Sequence, residues 1–351
     1  MISQTEVMHS AATDKKRRIA PSLLVCLLAA AFVPCVILSV ATGAAHISTA
    51  TVIEAFLHYK ADSIQHYTVL SVRLPRALTA ILAGACFAIS GAIMQGLTRN
   101  PLASPSIMGV SAGSSFAIVL VFAFTPYLAY HQIILVSMLG AACGTVLVYG
   151  VGTLGAISRS QHYTNVKLAL AGATVSALLG AFAEGIQIYY GISQNIMLWY
   201  AAGISGVKWL DVRVILPWAI GGFVSALVIS RTLSVLALGE EMAVGLGQRI
   251  RATKLLGALT VFVLTGSAVA VAGPISFIGL MVPHLARFLI GVNYRWIVPC
   301  SGLLGGLLLL LADTLSRLVN MPRETPVGII TAMLGVPFFL YLARKDGRGN
   351  L

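Results

Sequence analysis

Apolar runs of about twenty residues, each closed by charge, proline or glycine, recur from residue 19 to residue 343. At 1.5 Å per residue, each is long enough for the ~30 Å hydrocarbon core of a bilayer. The pattern predicts an all-α, polytopic membrane protein with about ten transmembrane helices in one domain over residues 1–351. The first span runs from residue 19 to about Gly43. The second opens at Arg73 and ends at Arg99-Asn100-Pro101. The others lie near 109–126, 131–155, 166–190, 211–230, 252–272, 276–291, 295–319 and 326–343.

The stretch Arg73–Gly113 organises the rest. It opens on Arg73-Leu74-Pro75-Arg76, runs through apolar and small residues, and breaks where Pro101 and Pro105 disfavour further helix. A cationic rim is thus joined to a polar elbow at the opposite face, as a conduit would require. Residues 1–18 form a polar tail ending in Lys15-Lys16-Arg17-Arg18. The run after it is too long for a signal-peptide core, so it reads as a retained first span. His46–Val72 is a polar outer stretch, and Gln194–Gly206, with Trp199 and Tyr200, fits an interfacial helix. The segments RALTAILAGACFAISGAIMQG and RATKLLGALTVFVLTGSAVAVAG are weakly alike and enter the membrane from opposite sides, as in an inverted repeat.

Composition agrees with a membrane chain: 58% of residues are hydrophobic and 10% charged, against about 25% charged in soluble domains. The net charge of +12 would suggest nucleic acid in a soluble protein; here topology explains it, and no nucleic-acid partner is expected. With both termini inside, sixteen of the 23 Lys and Arg residues fall on the cytoplasmic side. Lys60, Arg73, Arg76, Lys208, Arg213, Arg317 and Arg323 are the outer exceptions. The five cysteines lie singly in apolar segments and read as small buried hydrophobes, with no metal or disulfide role.

No enzyme constellation is present: the sequence lacks GxxxxGK[ST] and HExxH. His284 reads as a histidine hydrogen-bonded within the bundle. Asp313 lies four residues before Arg317, which predicts an ion pair on one helix face. Glu184 has no such partner and either lines a water-filled path or reaches the interface. The longest inner loop, SRTLSVLALGEEMAVGLGQRIRATK (Ser230–Lys254), repeats Leu236, Leu238, Met242 and Leu246 at helical spacing around Gly239-Glu240-Glu241. It predicts two short surface helices over 231–251. Two acids at the turn suit a protein partner better than anionic lipid.

The motifs RLPR, GAIMQG, NPLASP…GVSAG, LALGEE, GPISFIGLMVPHLAR, LLLADTLSR and RETPVGIITAMLGVPFFLYL resemble the permease subunits of bacterial ABC importers for ferric siderophores, haem and cobalamin, in order over about residues 70–345. The resemblance implies a dimer of permeases, identical or related, around a central path in the cytoplasmic (inner) membrane. It implies two cytoplasmic ATPase subunits, which bind ATP and Mg, and an extracytoplasmic substrate-binding protein. The permease itself is then no enzyme and carries no cofactor. By the same resemblance Arg73, Arg76 and Arg317 meet acids of the binding protein. Asn100, Leu102, Thr164 and Asn165 line a cytoplasmic gate, and Leu236, Leu238, Gly239, Glu240, Glu241, Leu246 and Gly247 couple to the ATPase. The implied cargo is an iron chelate, a ferric siderophore first, with haem and cobalamin as alternatives.

A rival from another class is a proton- or ion-coupled secondary transporter using Glu184 and Asp313, and a membrane scaffold is a third. The inner loop separates them, because a secondary transporter needs no ATPase-docking helices.

Overall fold

A computed structural model describes residues 20–43, 45, 47–105, 109–153, 161–321 and 323–346; the N-terminal tail expected over 1–18 lies outside them. The described residues contain no strand. The helices are α1 (Pro21–Ala41), α2 (Thr49–Leu57), α3 (Ile64–Tyr67), a π-helical stretch (Thr68–Arg73), α4 (Leu74–Thr98), α5 (Val110–Phe124), α6 (Tyr130–Thr153), α7 (Gln161–Tyr189), α8 (Ser193–Ala202), α9 (Trp209–Leu236), α10 (Glu240–Gly245), α11 (Ile250–Ala272), α12 (Ile278–Ile290), α13 (Tyr294–Leu318) and α14 (Val327–Asp346).

Local chemistry sets many boundaries. Pro21 opens α1, where a missing N–H leaves no bond unmade. The Ser48, Ser63 and Asn293 side chains accept from Thr51 N, His66 N and Arg295 N and so cap α2, α3 and α13. Arg99 takes a left-handed conformation (φ 50°) that ends α4 directly before Pro101.

Among the described residues seven helices are long and apolar enough to cross a membrane, and α5, α12 and the apolar part of α14 are shorter. Against the expectation of about ten spans stand these seven and the three shorter helices. Helices α5 and α12 lie within two residues of the expected 109–126 and 276–291, between the elbow after α4 and Phe124 and between the connector 273–277 and Ile290. The outer stretch before Arg73 is also not a plain polar loop. It folds as α2 and α3, and α3, the π-helical stretch and α4 run on as one helix from Ile64 to Thr98.

Helix α4 is the centre of the bundle, packed on α9, α11, α12 and α13 and touching α1. Small residues make this possible. A Cβ on Gly91 would lie 1.9 Å from the Gly279 carbonyl oxygen, so α4 and α12 meet backbone to backbone only because both residues lack side chains. Gly113 and Gly144 do the same for α5 and α6, whose Ser114 and Ser137 hydroxyls bond across the contact at 2.5 Å. The two similar segments fall on α4 and α11, which pack together and run in opposite directions, with Leu97 against Gly257.

Two ends of the bundle follow from cross-contacts. At one, Trp209 Nε1 donates to Leu70 O (2.9 Å), and Arg76 meets Asp313. At the other, Tyr294 N donates to Ser234 Oγ (2.9 Å), and the Tyr294 ring lies on Gly96 near the elbow. These are the Arg76 end and the Asn100 end below.

Candidate functional site

At the Arg76 end, three arginines expected on the surface are buried. Arg76 grips Asp313 through Nε (3.0 and 3.1 Å) and Nη2 (2.9 Å) and turns Nη1 to both oxygens of Glu324 (2.9 Å each). Arg317 pairs with the same Asp313 (3.1 Å), which bears out the i, i+4 expectation, and donates to Ser39 O, Ser39 Oγ and Thr42 O. Arg73 donates to Val40 O and Ala41 O at 2.8 Å and to Ala45 O. The picture of Arg73, Arg76 and Arg317 as exposed cations is thus corrected. The last turn of a helix has carbonyls without intrahelical partners, and two guanidinium groups satisfy those of α1. Asp313 is fully enclosed, whereas the Glu324 side chain is 44% exposed, so the network reaches solvent at Glu324. Its sequence RETPVG carried the resemblance, but nothing in the chain spacing joined Glu324 to Arg76.

At the Asn100 end, Asn100 Oδ1 accepts from Leu102 N (2.9 Å), and its carbonyl accepts from Ala103 N (3.1 Å). This side-chain turn fixes the elbow and leaves Asn100 and Leu102 exposed. Thr164 and Asn165 belong to the opening turns of α7 and not to a loop before it; their side chains lie outside the described residues. Beside the elbow, buried Gln95 donates to Gly279 O and Leu280 O (3.3 Å each) and accepts from Arg287 Nη2 (2.5 Å), clamping α4 to both ends of α12.

The loop beyond α9 differs from the expected pair of helices. Residues through Leu236 continue α9, because Leu233 and Leu236 are buried against the bundle; only α10 stands alone. Gly239 (φ 125°) and Gly247 (φ 74°) bracket α10 in conformations that side chains resist. Glu240 pairs with Lys254 of α11, while Glu241 is exposed. Leu238, Met242, Val244 and Leu246 are exposed together at this tip. Four large apolar side chains on so short a segment form a patch of the kind that marks a contact surface.

Between the ends, two cavities of about 230 and 280 Å³ flank the α11–α12 connector and share Ile275. The first lies under Ser104 and Pro105 of the elbow, the second beside Tyr200 of α8 and Pro326 before α14. Of the remaining expectations, Glu184 is exposed on α7, and the His284 ring packs edge-on against Phe338 at 5.7 Å. Helix α8 forms as expected, with Trp199 and Tyr200 half-buried against α5 and α7 residues and meeting edge to face at 5.4 Å.

A glycine-packed bundle of apolar helices, ionic at one end and apolar-tipped at the other, defines a polytopic membrane protein. Residues 27–345 match the FecCD transport family, and the chain belongs to that family. It is 50% identical to the iron(3+)-hydroxamate import system permease protein FhuB of Bacillus subtilis (strain 168), over 89% of this chain and 80% of that one. It is 41% identical to the iron-uptake system permease protein FeuB of the same organism, over 89% and 92%. The fold matches a solved inward-facing metal-chelate type ABC transporter with a TM-score of 0.79 and 28% identity, covering 93% of this chain and all of that one. The resemblance read from the motifs is borne out.

Proposed function

We propose that this chain is the membrane-spanning permease of an ATP-driven importer, and that its cargo is a ferric siderophore of the hydroxamate type. The observation that carries the cargo is the 50% identity, along nearly the whole chain, to a permease named for iron(3+)-hydroxamate. The chain then lies in the cytoplasmic membrane with ten crossings, the three short helices completing the seven long ones, and with both termini inside. It pairs with a second permease, identical or related, and passes the chelate between the two.

The Asn100 end is the cytoplasmic one. There the tip formed by Leu238, Gly239, Glu241, Leu246 and Gly247 docks one of two ATPase subunits, which bind ATP and Mg; Leu236 and Glu240 hold the tip on the bundle. Asn100, Leu102, Thr164 and Asn165 form the gate above it. The Arg76 end receives the substrate-binding protein. Arg73, Arg76 and Arg317 act there from within, keeping α1, α4 and α13 rigid beneath the docking face and giving it a positive field. The proton-coupled alternative is disfavoured by Asp313, which two arginines hold.

The test is uptake of iron-55 hydroxamate chelate into proteoliposomes holding the permease, ATPases and binding protein. Uptake should require ATP and the binding protein and ignore a proton gradient. Uptake driven by the gradient alone overturns the importer reading. ATP-driven uptake of haem or cobalamin in place of the chelate overturns the cargo.

A further inference from the structure

The cavity of about 230 Å³ beneath the elbow has a construction that the path alone does not require. It lies beside Phe87, roughly midway along α4, and so at about mid-depth of the bundle. The connector that roofs it is irregular backbone, with Gly273 (φ 74°) and Phe277 (φ 70°) both left-handed. A non-glycine residue in that region is uncommon and marks a place where the surroundings impose the conformation. Irregular backbone at membrane depth is tolerated where protein encloses it or where it lines a watered cavity. Ser276 of this connector is exposed, which favours water.

Four hydroxyls are set in an otherwise largely apolar wall. Ser104, Ser111, Thr265 and Ser276 line it, and no described lining residue is charged. Thr265 departs from its neighbours on α11. Thr253 and Thr260 return their hydroxyls to the carbonyl four residues back (3.2 and 2.7 Å), and Ser267 to the carbonyl three back (3.1 Å). That local bond is the ordinary resting place for such a hydroxyl within a helix. Thr265 is 1% exposed, lines the cavity, and its Oγ1 has no hydrogen-bond partner in the protein. Thr79, Ser176 and Ser301 also bury a hydroxyl without a partner, but Thr265 alone of the four lines this cavity, where something that enters can reach it.

We propose that this cavity is a cargo-contact site in the wall of the path. It takes a neutral hydrogen-bonding group from the periphery of the chelate, an amide, carbonyl or hydroxyl, against Thr265 Oγ1 and the adjacent serines. The inference rests on the importer reading. Size sets what enters: at about 30 Å³ per water the cavity equals roughly eight waters, enough for one arm of a chelate but not for its core. The uncharged lining selects neutral over anionic groups, since an unpaired charge would lose its hydration there. The same lining explains how the site can hold the chelate briefly without trapping it. A hydroxyl contact replaces a water at little net gain, whereas a charged contact would bind too long.

The experiment uses the complete transporter in proteoliposomes with iron-55 hydroxamate chelate. Thr265→Val removes the hydroxyl at nearly constant shape, and Thr265→Ser keeps it. Thr265→Val should lower the uptake rate three- to tenfold, with basal ATPase activity and binding-protein capture unchanged. Thr265→Ser should stay within twofold of wild type. In parallel, Ser276→Cys supplies a thiol at the mouth, read by a membrane-impermeant thiol reagent during turnover. Labelling should slow at least threefold with chelate-loaded binding protein compared with the empty binding protein. Wild-type uptake in Thr265→Val overturns the site while leaving the importer reading intact. Labelling of Ser276→Cys that ignores the chelate also overturns it and assigns the cavity to water alone.

Discussion

Arg76 and Asp313, 237 residues apart in sequence, meet in a two-pronged ion pair that joins α4 to α13 within the bundle. Arg317 reaches the same carboxylate from one turn away, and Glu324 closes the other side of Arg76. One aspartate is therefore shared by two buried guanidinium groups, and the Glu324 carboxylate supplies the second negative charge. Removal of Asp313 costs more than its attraction contributes, because both cations stay behind in low dielectric.

Asp313→Asn should accordingly destabilise the purified permease by about 3–5 kcal/mol, read as a lowered unfolding temperature in detergent. Combining it with Arg317→Met should recover part of that loss, since one stranded cation is gone. An Asp313→Asn protein that melts like wild type would show that water reaches the network and that the pair is screened.

The two acids of the inner loop should separate. Glu241→Lys reverses an exposed charge and should release the ATPase from the solubilised complex. The swap Glu240→Lys with Lys254→Glu preserves the ion pair to α11 and should leave the complex assembled. Co-purification of tagged ATPase measures both. Equal loss in the two variants would mean that Glu240 touches the ATPase directly.

Leu238→Glu and Leu246→Glu test the apolar tip. Both side chains are already exposed, so folding should change by no more than about 0.5 kcal/mol. ATP-dependent uptake should nevertheless fall at least tenfold as the ATPase dissociates. Retained uptake would remove the tip from the coupling surface.

Asn100→Cys and Asn165→Cys probe the gate. Crosslinking across the permease dimer, or labelling that changes when ATP binds, is the expected outcome. Labelling that is uniform and indifferent to nucleotide counts against a gate at these positions.

Gly91→Ala should be among the most damaging single methyl additions. The new Cβ has the Gly279 backbone at 1.9 Å, so α4 and α12 must part, at about 1–3 kcal/mol. A variant with unchanged unfolding temperature and uptake would mean that this seam is loose.

Much of the helix order was legible in the sequence because apolar runs and prolines act locally. The break after Thr98, and the ion pair between Asp313 and Arg317, needed only neighbouring residues. What was not legible depends on residues far apart. Nothing near Arg73 announces that it ends in the C-terminal carbonyls of α1, so a cation at the mouth of a span read as a surface group. Helix α9 runs past residue 230 because Leu233 and Leu236 find partners on other helices. Thr265 sits in an apolar run among other hydroxyls, and only the absent bond together with the cavity it lines singles it out.

The unbroken helix from Ile64 to Thr98 has 35 residues and so a length of about 52 Å, well beyond the ~30 Å that a bilayer core demands. It is seated on Gly279 part-way along and tied to Asp313 at Arg76 and to Arg287 at Gln95. Such a rod is a lever with a fulcrum. About 40 Å of it lies on the Ile64 side of Gly91 and about 10 Å on the Thr98 side, so a sideways shift at the Ile64 end reaches the elbow reduced about fourfold, as a fine adjustment that needs no chain of intermediate side-chain rearrangements.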